Sequence, residues 1–324
     1  MRWGFALLLT MLTSVPVSAQ ELSLFGGVMQ NTANSDSDKA WQLEYREVLG
    51  EHLAYSLTYL NEGHVPVHHR DGNAALLWTR VNLIGQRLSL AVGLGPYFYC
   101  DTTNAHGLND YSNKHGWGTM ASADATWYTD NRWLFQFRTN WIETFDSIAS
   151  FSTLIGIGYQ LEAPSWPGPV ASAQPVTRAL TDNELTLFGG NTIVNSYDSP
   201  KSVALGLEYR YGLNRYLDWT IGWLHEGDNR LVRRNGLTTQ LWVVKSFFDD
   251  RFVLGIGGGA YVVVDHYHHL LDNRESGKAL SGLVTLTGSY RLHPHWDLRT
   301  SWNRIVTNYN RDTDVVLGGI GYRF

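Results

Sequence analysis

One cysteine, Cys100, is all the sequence holds, so no internal disulfide can form. Past the first twenty residues there is no run of the roughly 20 consecutive apolar residues that a membrane helix requires. A mean hydropathy of −0.22 likewise excludes a helical membrane protein. Positive charge is also short. Of the 25 Lys and Arg one, Arg2, sits in the leader, and the remaining 24 face 30 acidic residues. That balance, near −6, argues against a nucleic-acid partner, whose binding surface should be basic. Proline is scarce outside one stretch. What is abundant is aromatic and small: 13 Trp, 17 Tyr, 12 Phe and 32 Gly in 324 residues. Many aromatics and glycines with modest hydropathy suit a barrel that is apolar outside and polar inside.

Residues 1–19 read as a secretory signal. Arg2 supplies the positive start, Phe5 to Leu12 form a short apolar run, and Val17-Ser18-Ala19 supplies small residues for cleavage. The mature chain is expected to begin near Gln20.

The remainder is one unit written twice. Glu21-Leu-Ser-Leu-Phe-Gly-Gly27 returns as Glu184-Leu-Thr-Leu-Phe-Gly-Gly190, and Leu43-Glu-Tyr-Arg46 as Leu207-Glu-Tyr-Arg210. Leu60, Glu62 and Gly63 return as Leu224, Glu226 and Gly227, and Leu77-Trp78 as Leu241-Trp242. Arg138-Thr139 with Trp141 returns as Arg299-Thr300 with Trp302, and Gly156-Ile-Gly-Tyr159 as Gly319-Ile-Gly-Tyr322. A nearly constant offset of about 163 residues in unchanged order marks an internal duplication. The units are expected at 20–162 and 184–324, joined over 163–183 by a linker holding Pro164, Pro167, Pro169 and Pro175; proline cannot donate to a strand ladder.

Each unit divides into eight alternating segments of about ten residues, the length a tilted membrane strand needs. In the first unit they fall near 21–30, 39–49, 52–62, 73–84, 87–101, 117–128, 132–142 and 150–161. In the second they fall near 184–194, 202–211, 216–226, 237–247, 251–265, 279–290, 295–304 and 314–324. Leu53, Tyr55, Leu57 and Tyr59 share one face and Ala54, Ser56 and Thr58 the other; Trp219, Ile221 and Trp223 stand against Thr220, Gly222 and Leu224. Successive side chains of a strand point to opposite faces, so each strand has a lipid face and a lumen face. Connections alternate between short turns, at Gly50 or Gly85-Gln86, and longer polar loops, expected at 31–39, 63–72, 102–116 and 144–149. In outer-membrane barrels the short turns are periplasmic. Aromatics placed outward near strand ends, such as Trp41, Tyr128 or Trp127, Trp141, Tyr159 and Phe324, form the interface girdle.

The fold class is therefore all-β: a transmembrane antiparallel β-barrel, preferably two tandem eight-stranded units and alternatively one sixteen-stranded barrel. Open edges cannot persist in lipid, so closure is compulsory. An eight-stranded barrel has room inside only for packed side chains. Lumen-face glycines such as Gly93, Gly156 and Gly257 and the long linker favour two barrels.

Glu44, Arg46, Asp124 and Arg138 fall on the lumen face of the first unit, and Glu208, Arg210 and Arg299 on that of the second. Charges in a narrow interior must pair with each other, and they read as a structural network; in one wide barrel they would line an ion-selective channel. Nine of the 12 histidines lie in or beside the long loops: His64, His68, His69, His106, His115, His225, His266, His268 and His269. Carboxylates and arginines share that rim: Glu62, Arg70 and Asp101 in one unit, Glu226, Arg234 and Asp265 in the other. With His64 they form a candidate ligand-binding rim, which orders the loops or contacts lipopolysaccharide phosphates or divalent cations. The histidine spacings are unmatched between units, so no metal site is drawn, and no cofactor is expected.

The chain ends Gly321-Tyr-Arg-Phe324, which resembles the terminal strand of bacterial outer-membrane proteins. That resemblance implies recognition by the barrel-assembly machinery, a Gram-negative-type cell, and outer-membrane lipid and lipopolysaccharide as partners. As architecture the mature chain resembles the OmpA membrane domain and the lipid A palmitoyltransferase and deacylase barrels. Lipid A enzymes combine a rim histidine with a serine and a carboxylate; here His64 beside Glu62, with Ser112 or Ser147 as nucleophile, could be drawn. The deacylase-like region would fall near 140–150 or 303–312, and neither stretch holds a histidine. No catalytic residue is assigned. The expected function is an integral outer-membrane protein with a structural or surface ligand-binding role. A porin-like sixteen-stranded channel is the first alternative and a lipid A-modifying acyltransferase or deacylase the second.

Overall fold

The structure is a computed structural model that describes residues 20–104, 111–161, 167–169, 183–196, 198–229, 231–265 and 278–324. Every regular element among them is a strand. The first half contains β1 (Gln20–Asn31), β2 (Ser37–Val48), β3 (Leu53–Val65), β4 (His68–Leu83), β5 (Leu88–Thr103), β6 (Ser112–Tyr128), β7 (Trp133–Thr144) and β8 (Ser150–Gln160). The second contains β9 (Asn183–Val194), β10 (Lys201–Gly212), β11 (Leu217–Asp228), β12 (Arg233–Phe247), β13 (Phe252–Asp265), β14 (Lys278–His293), β15 (Trp296–Val306) and β16 (Thr313–Arg323).

Each half closes on itself as an antiparallel eight-stranded barrel. β1 pairs with β8 from Glu21↔Gln160 to Asn31↔Ser150, and β9 pairs with β16 from Glu184↔Arg323 to Val194↔Thr313. These closing ladders leave no free edge, as a strand in lipid demands.

Burial is inverted relative to a water-soluble barrel. Along β7 the large apolar Trp133, Phe135, Phe137 and Trp141 are exposed, while Gln136, Arg138 and Asn140 are buried. β11 does the same with exposed Trp219, Ile221 and Trp223 over buried Asp218 and Thr220. This is the alternation expected where lipid is the outer solvent. At the end of β6 the girdle residue is Trp127; Tyr128 is fully buried and turns inward, because the two neighbours must occupy opposite faces.

The main departure from expectation is on the loop side. Residues 63–72 continue the ladder: β3 runs to Val65, β4 begins at His68, and Pro66-Val67 makes a two-residue turn. Val67 sits at φ +70°, which β-branched residues rarely adopt. The segment looks like a loop in the sequence because it stands beyond the greasy belt, where neither face must be apolar. A bulge between Asn61 and His64, with Gly63 at φ +71°, shifts the register there, and the second barrel repeats it between His225 and Asp228, with Gly227 at φ +79°.

Candidate functional site

The lumen of the first barrel is filled at mid-height by stacked aromatic and charged side chains. Trp78 on β4 is 1% exposed and donates through Nε1 to Ser56 Oγ at 2.9 Å. Gly93 on the neighbouring β5 leaves its place to that ring, since a Cβ there would stand 2.6 Å from the indole. The Arg46 and Arg138 guanidinium groups lie 4.3 and 4.8 Å from the Trp78 ring, and Arg138 is 4.3 Å from Phe25. Arg138 spans the lumen. It donates to Glu44 at 2.5 and 2.9 Å and to Asp124 at 2.9 and 3.1 Å. Arg46 reaches Asp124 at 3.2 Å and Glu44 at 3.1 Å, while Thr58 and Thr126 donate to those two carboxylates. All four predicted lumen charges thus form one buried cluster of two cations and two anions, joining β2 to β6 and β7.

The second barrel repeats the scheme with altered wiring. Trp242 donates to Thr220 Oγ1 at 2.9 Å and lies over Gly257, where a Cβ would be 2.6 Å from the ring. Arg210 is 5.1 Å from Trp242, and Arg299 is 5.2 Å from Phe188. Arg299 Nη1 meets Glu208 at 2.9 Å and Glu184 at 3.1 Å. Arg138 stands opposite Asp124 in its ladder, but Arg299 stands opposite Ser289. The missing carboxylate is made up by Asp218 on β11, 3.5 Å from Arg210, where the first barrel has Ala54. Nε and Nη2 of both Arg210 and Arg299 find no hydrogen-bond partner. Asp218 and the two aromatic platforms were not singled out from the sequence; the repeated Leu-Trp pair and the strand parity were the signals available.

The loop-side rim holds a second layer. Arg70 donates to Glu62 at 2.5 and 2.8 Å, and both are fully buried. Arg70 also reaches Ser150 Oγ at 2.8 Å and the Ile148 carbonyl, and Ser150 and Tyr97 donate to Glu62. Arg234 and Glu226 repeat this at 2.8 and 2.7 Å, with Thr313 in the place of Ser150 and the Arg311 carbonyl accepting at 2.9 Å. Two parallel charge-assisted bonds are the strongest geometry such a pair can take. Each clamp ties adjacent loop-side strands to the strand that closes the barrel.

Asp101 is buried and central to a third group. Its Oδ2 accepts from Ser147 Oγ at 2.7 Å and lies 2.7 Å from His68 Nδ1. A nucleophilic serine needs its base as hydrogen-bond partner, with the carboxylate behind the base. Here the carboxylate sits between the two, so the geometry is that of a loop anchor. His64 is exposed on the outer face, away from buried Glu62, because the bulge separates their directions. Asp265 ends β13 opposite Arg234 in the ladder; its side chain lies outside the described residues, as do His106, His266, His268 and His269. Among the described residues no three His, Cys, Asp or Glu side chains converge as a metal site.

No protein-family model and no curated protein matches this sequence. Solved structures do. The N-terminal β-barrel domain of Pseudomonas aeruginosa OprF matches at 13% identity and a TM-score of 0.36, over 44% of this chain and 96% of that one. The attachment invasion locus protein Ail of Yersinia pestis, solved with the heparin analogue sucrose octasulfate, matches at 11% identity and a TM-score of 0.34, over 44% of this chain and 98% of that one. Neisserial surface protein A matches at 9% identity and a TM-score of 0.33, over 44% and 96%. All three are outer-membrane eight-stranded barrels and are among the solved structures to which this chain is similar.

Proposed function

We infer that this chain is an integral outer-membrane protein whose two barrels are closed to solutes and which acts at the cell surface in a structural or ligand-binding role. The observation that carries this is the filled lumen. A porin keeps a wetted interior, whereas eight strands leave space for side chains alone, and Trp78 and Trp242 with their arginine–carboxylate clusters occupy that space. A belt of exposed Leu, Val, Ile and aromatic side chains supports residence in lipid. Exposed Val316, Ile320 and Tyr322 on the outer face of β16 support recognition by the barrel-assembly machinery. With short turns toward the periplasm, the Glu62–Arg70 and Glu226–Arg234 clamps face outward and hold the rim in shape. Contact with lipopolysaccharide or another surface ligand then falls to the exposed groups around them.

Planar-bilayer recording on the purified full chain tests the reading. The expected trace has no long-lived conductance steps. Regular large steps would overturn closed barrels in favour of a channel.

A further inference from the structure

The two barrels differ sharply at one matched position. In the second, Asp228 on β11 and Arg233 on β12 are cross-strand partners, and their side chains form an ion pair at 3.5 Å. The position is framed by matching residues, Glu226-Gly227 before it and Arg234 after it. In the first barrel the same frame, Glu62-Gly63 and Arg70, encloses His64 and His69, which are also cross-strand partners. Their rings are stacked with centroids 3.7 Å apart and planes 20° apart. An ion pair of opposite signs has thus been exchanged for two groups of the same kind, each bearing a lone pair when neutral.

We propose that His64 and His69 form a two-imidazole site for a borderline divalent transition-metal ion such as Zn²⁺ or Cu²⁺. Four observations meet here. The short Pro66-Val67 turn and the ladder hold both residues on one face, so little chain entropy is lost when they chelate. With their centroids 3.7 Å apart the two rings lie within the span of a single ion, and turning them out of the stack about their side-chain bonds would bring one nitrogen of each to the ~2.0–2.1 Å that zinc–imidazole bonds require. The Asp38 carboxylate accepts the His64 backbone N–H, which places a negative charge beside the pair and favours a cation. The pair also stands on the outer, loop-side face, where water can complete the coordination sphere. Imidazole pairs favour copper, nickel and zinc over the oxygen-seeking calcium and magnesium. The site would clip the tip of one hairpin in the first barrel alone, where the second uses its Asp–Arg pair.

Isothermal titration of the EDTA-treated full chain in detergent micelles with ZnCl₂ tests this, with CaCl₂ as the control cation. The wild type is expected to bind Zn²⁺ and to ignore Ca²⁺. The double variant His64→Asp/His69→Arg installs the pair that already folds in the second barrel. It is expected to lose one equivalent of Zn²⁺, its affinity at that site falling at least about tenfold. The single variant His69→Gln, close in size, should lose the same equivalent, whereas His225→Ala should not. Retention of the barrel's gel mobility checks folding in each. A wild type that takes no Zn²⁺, or a double variant with the wild-type isotherm, overturns the proposal.

Discussion

Replacing Arg138 with Met should loosen the first barrel and leave the second untouched. Arg138 makes four hydrogen bonds to Glu44 and Asp124, which are 1% and 5% exposed. Its removal leaves two buried carboxylates facing one remaining cation, Arg46, 3.1 and 3.2 Å away. Breaking a buried ion pair by deleting one partner costs about 3–5 kcal/mol. Because Arg46 still touches both carboxylates, the lower end applies, about 3 kcal/mol. At 1.36 kcal/mol per decade, amides that exchange through opening of this barrel should then exchange on the order of 10² times faster. Hydrogen exchange read by mass spectrometry on the full chain in micelles resolves this by peptide. Peptides from β7 should speed up and those from β15 should not, since each barrel closes on its own. Adding Glu44→Gln restores the charge balance and should recover much of the loss. If β7 in Arg138→Met exchanges at the wild-type rate, the lumen charges do not support the barrel and the plugged reading fails at its base.

Trp78→Ala should cost about 3–5 kcal/mol in denaturant unfolding, because it empties the platform beneath two guanidinium groups; a loss below 1 kcal/mol would mean that the lumen is not close-packed. Gly93→Val and Gly257→Val should each cost about 1–3 kcal/mol by driving a side chain into Trp78 or Trp242, seen as a lower temperature for loss of the folded gel band. Glu62→Gln should leave Arg70 buried beside a neutral group and lower the same temperature without preventing insertion; an unchanged temperature would show that the clamp is dispensable.

Most of the architecture was legible because two periodicities reinforced each other. The period of two along strands such as Leu53–Tyr59 assigned faces, and the repeat near 163 residues aligned sixteen strands, most to within two residues of their observed ends. Legibility fell off where the lipid constraint ends. Strands β3, β4, β6 and β12 run further than expected at their loop-side ends, since above the membrane a strand has no greasy face to advertise it, and β14 overruns at its short-turn end, to His293. The bulge at Gly63 adds a residue and sends His64 outward, which no spacing rule from Glu62 reveals. That Glu62, Arg70 and Asp101 share a rim was readable; that Arg70 is consumed by Glu62, and Asp101 engaged by His68 and Ser147, depends on neighbours across the barrel. His64 and His69 are five apart in sequence and opposite one another only because Pro66-Val67 makes so tight a turn.

The displaced carboxylate of the second barrel shows how two copies of one design drift while keeping charge balance, and it can be reversed. In the first barrel the carboxylate that joins Glu44 beside Arg46 and Arg138 comes from β6 as Asp124; in the second the carboxylate that takes its place comes from β11 as Asp218. Asp218→Ala should cost about 3 kcal/mol, the lower end for a buried pair that loses one partner, because Arg210 still has Glu208 at 3.9 Å. Ser289 lines the same small cavity as Arg210 and stands opposite Arg299 in the ladder, as Asp124 stands opposite Arg138. Asp218→Ala/Ser289→Asp should therefore rebuild the first barrel's wiring inside the second and regain at least half of the loss in β15 exchange. Ser289→Asp alone adds a surplus buried anion and should not stabilise. A double variant no better than Asp218→Ala would mean that the two lumens are not interchangeable, and that the repeat preserves the strands without preserving the logic of what fills them.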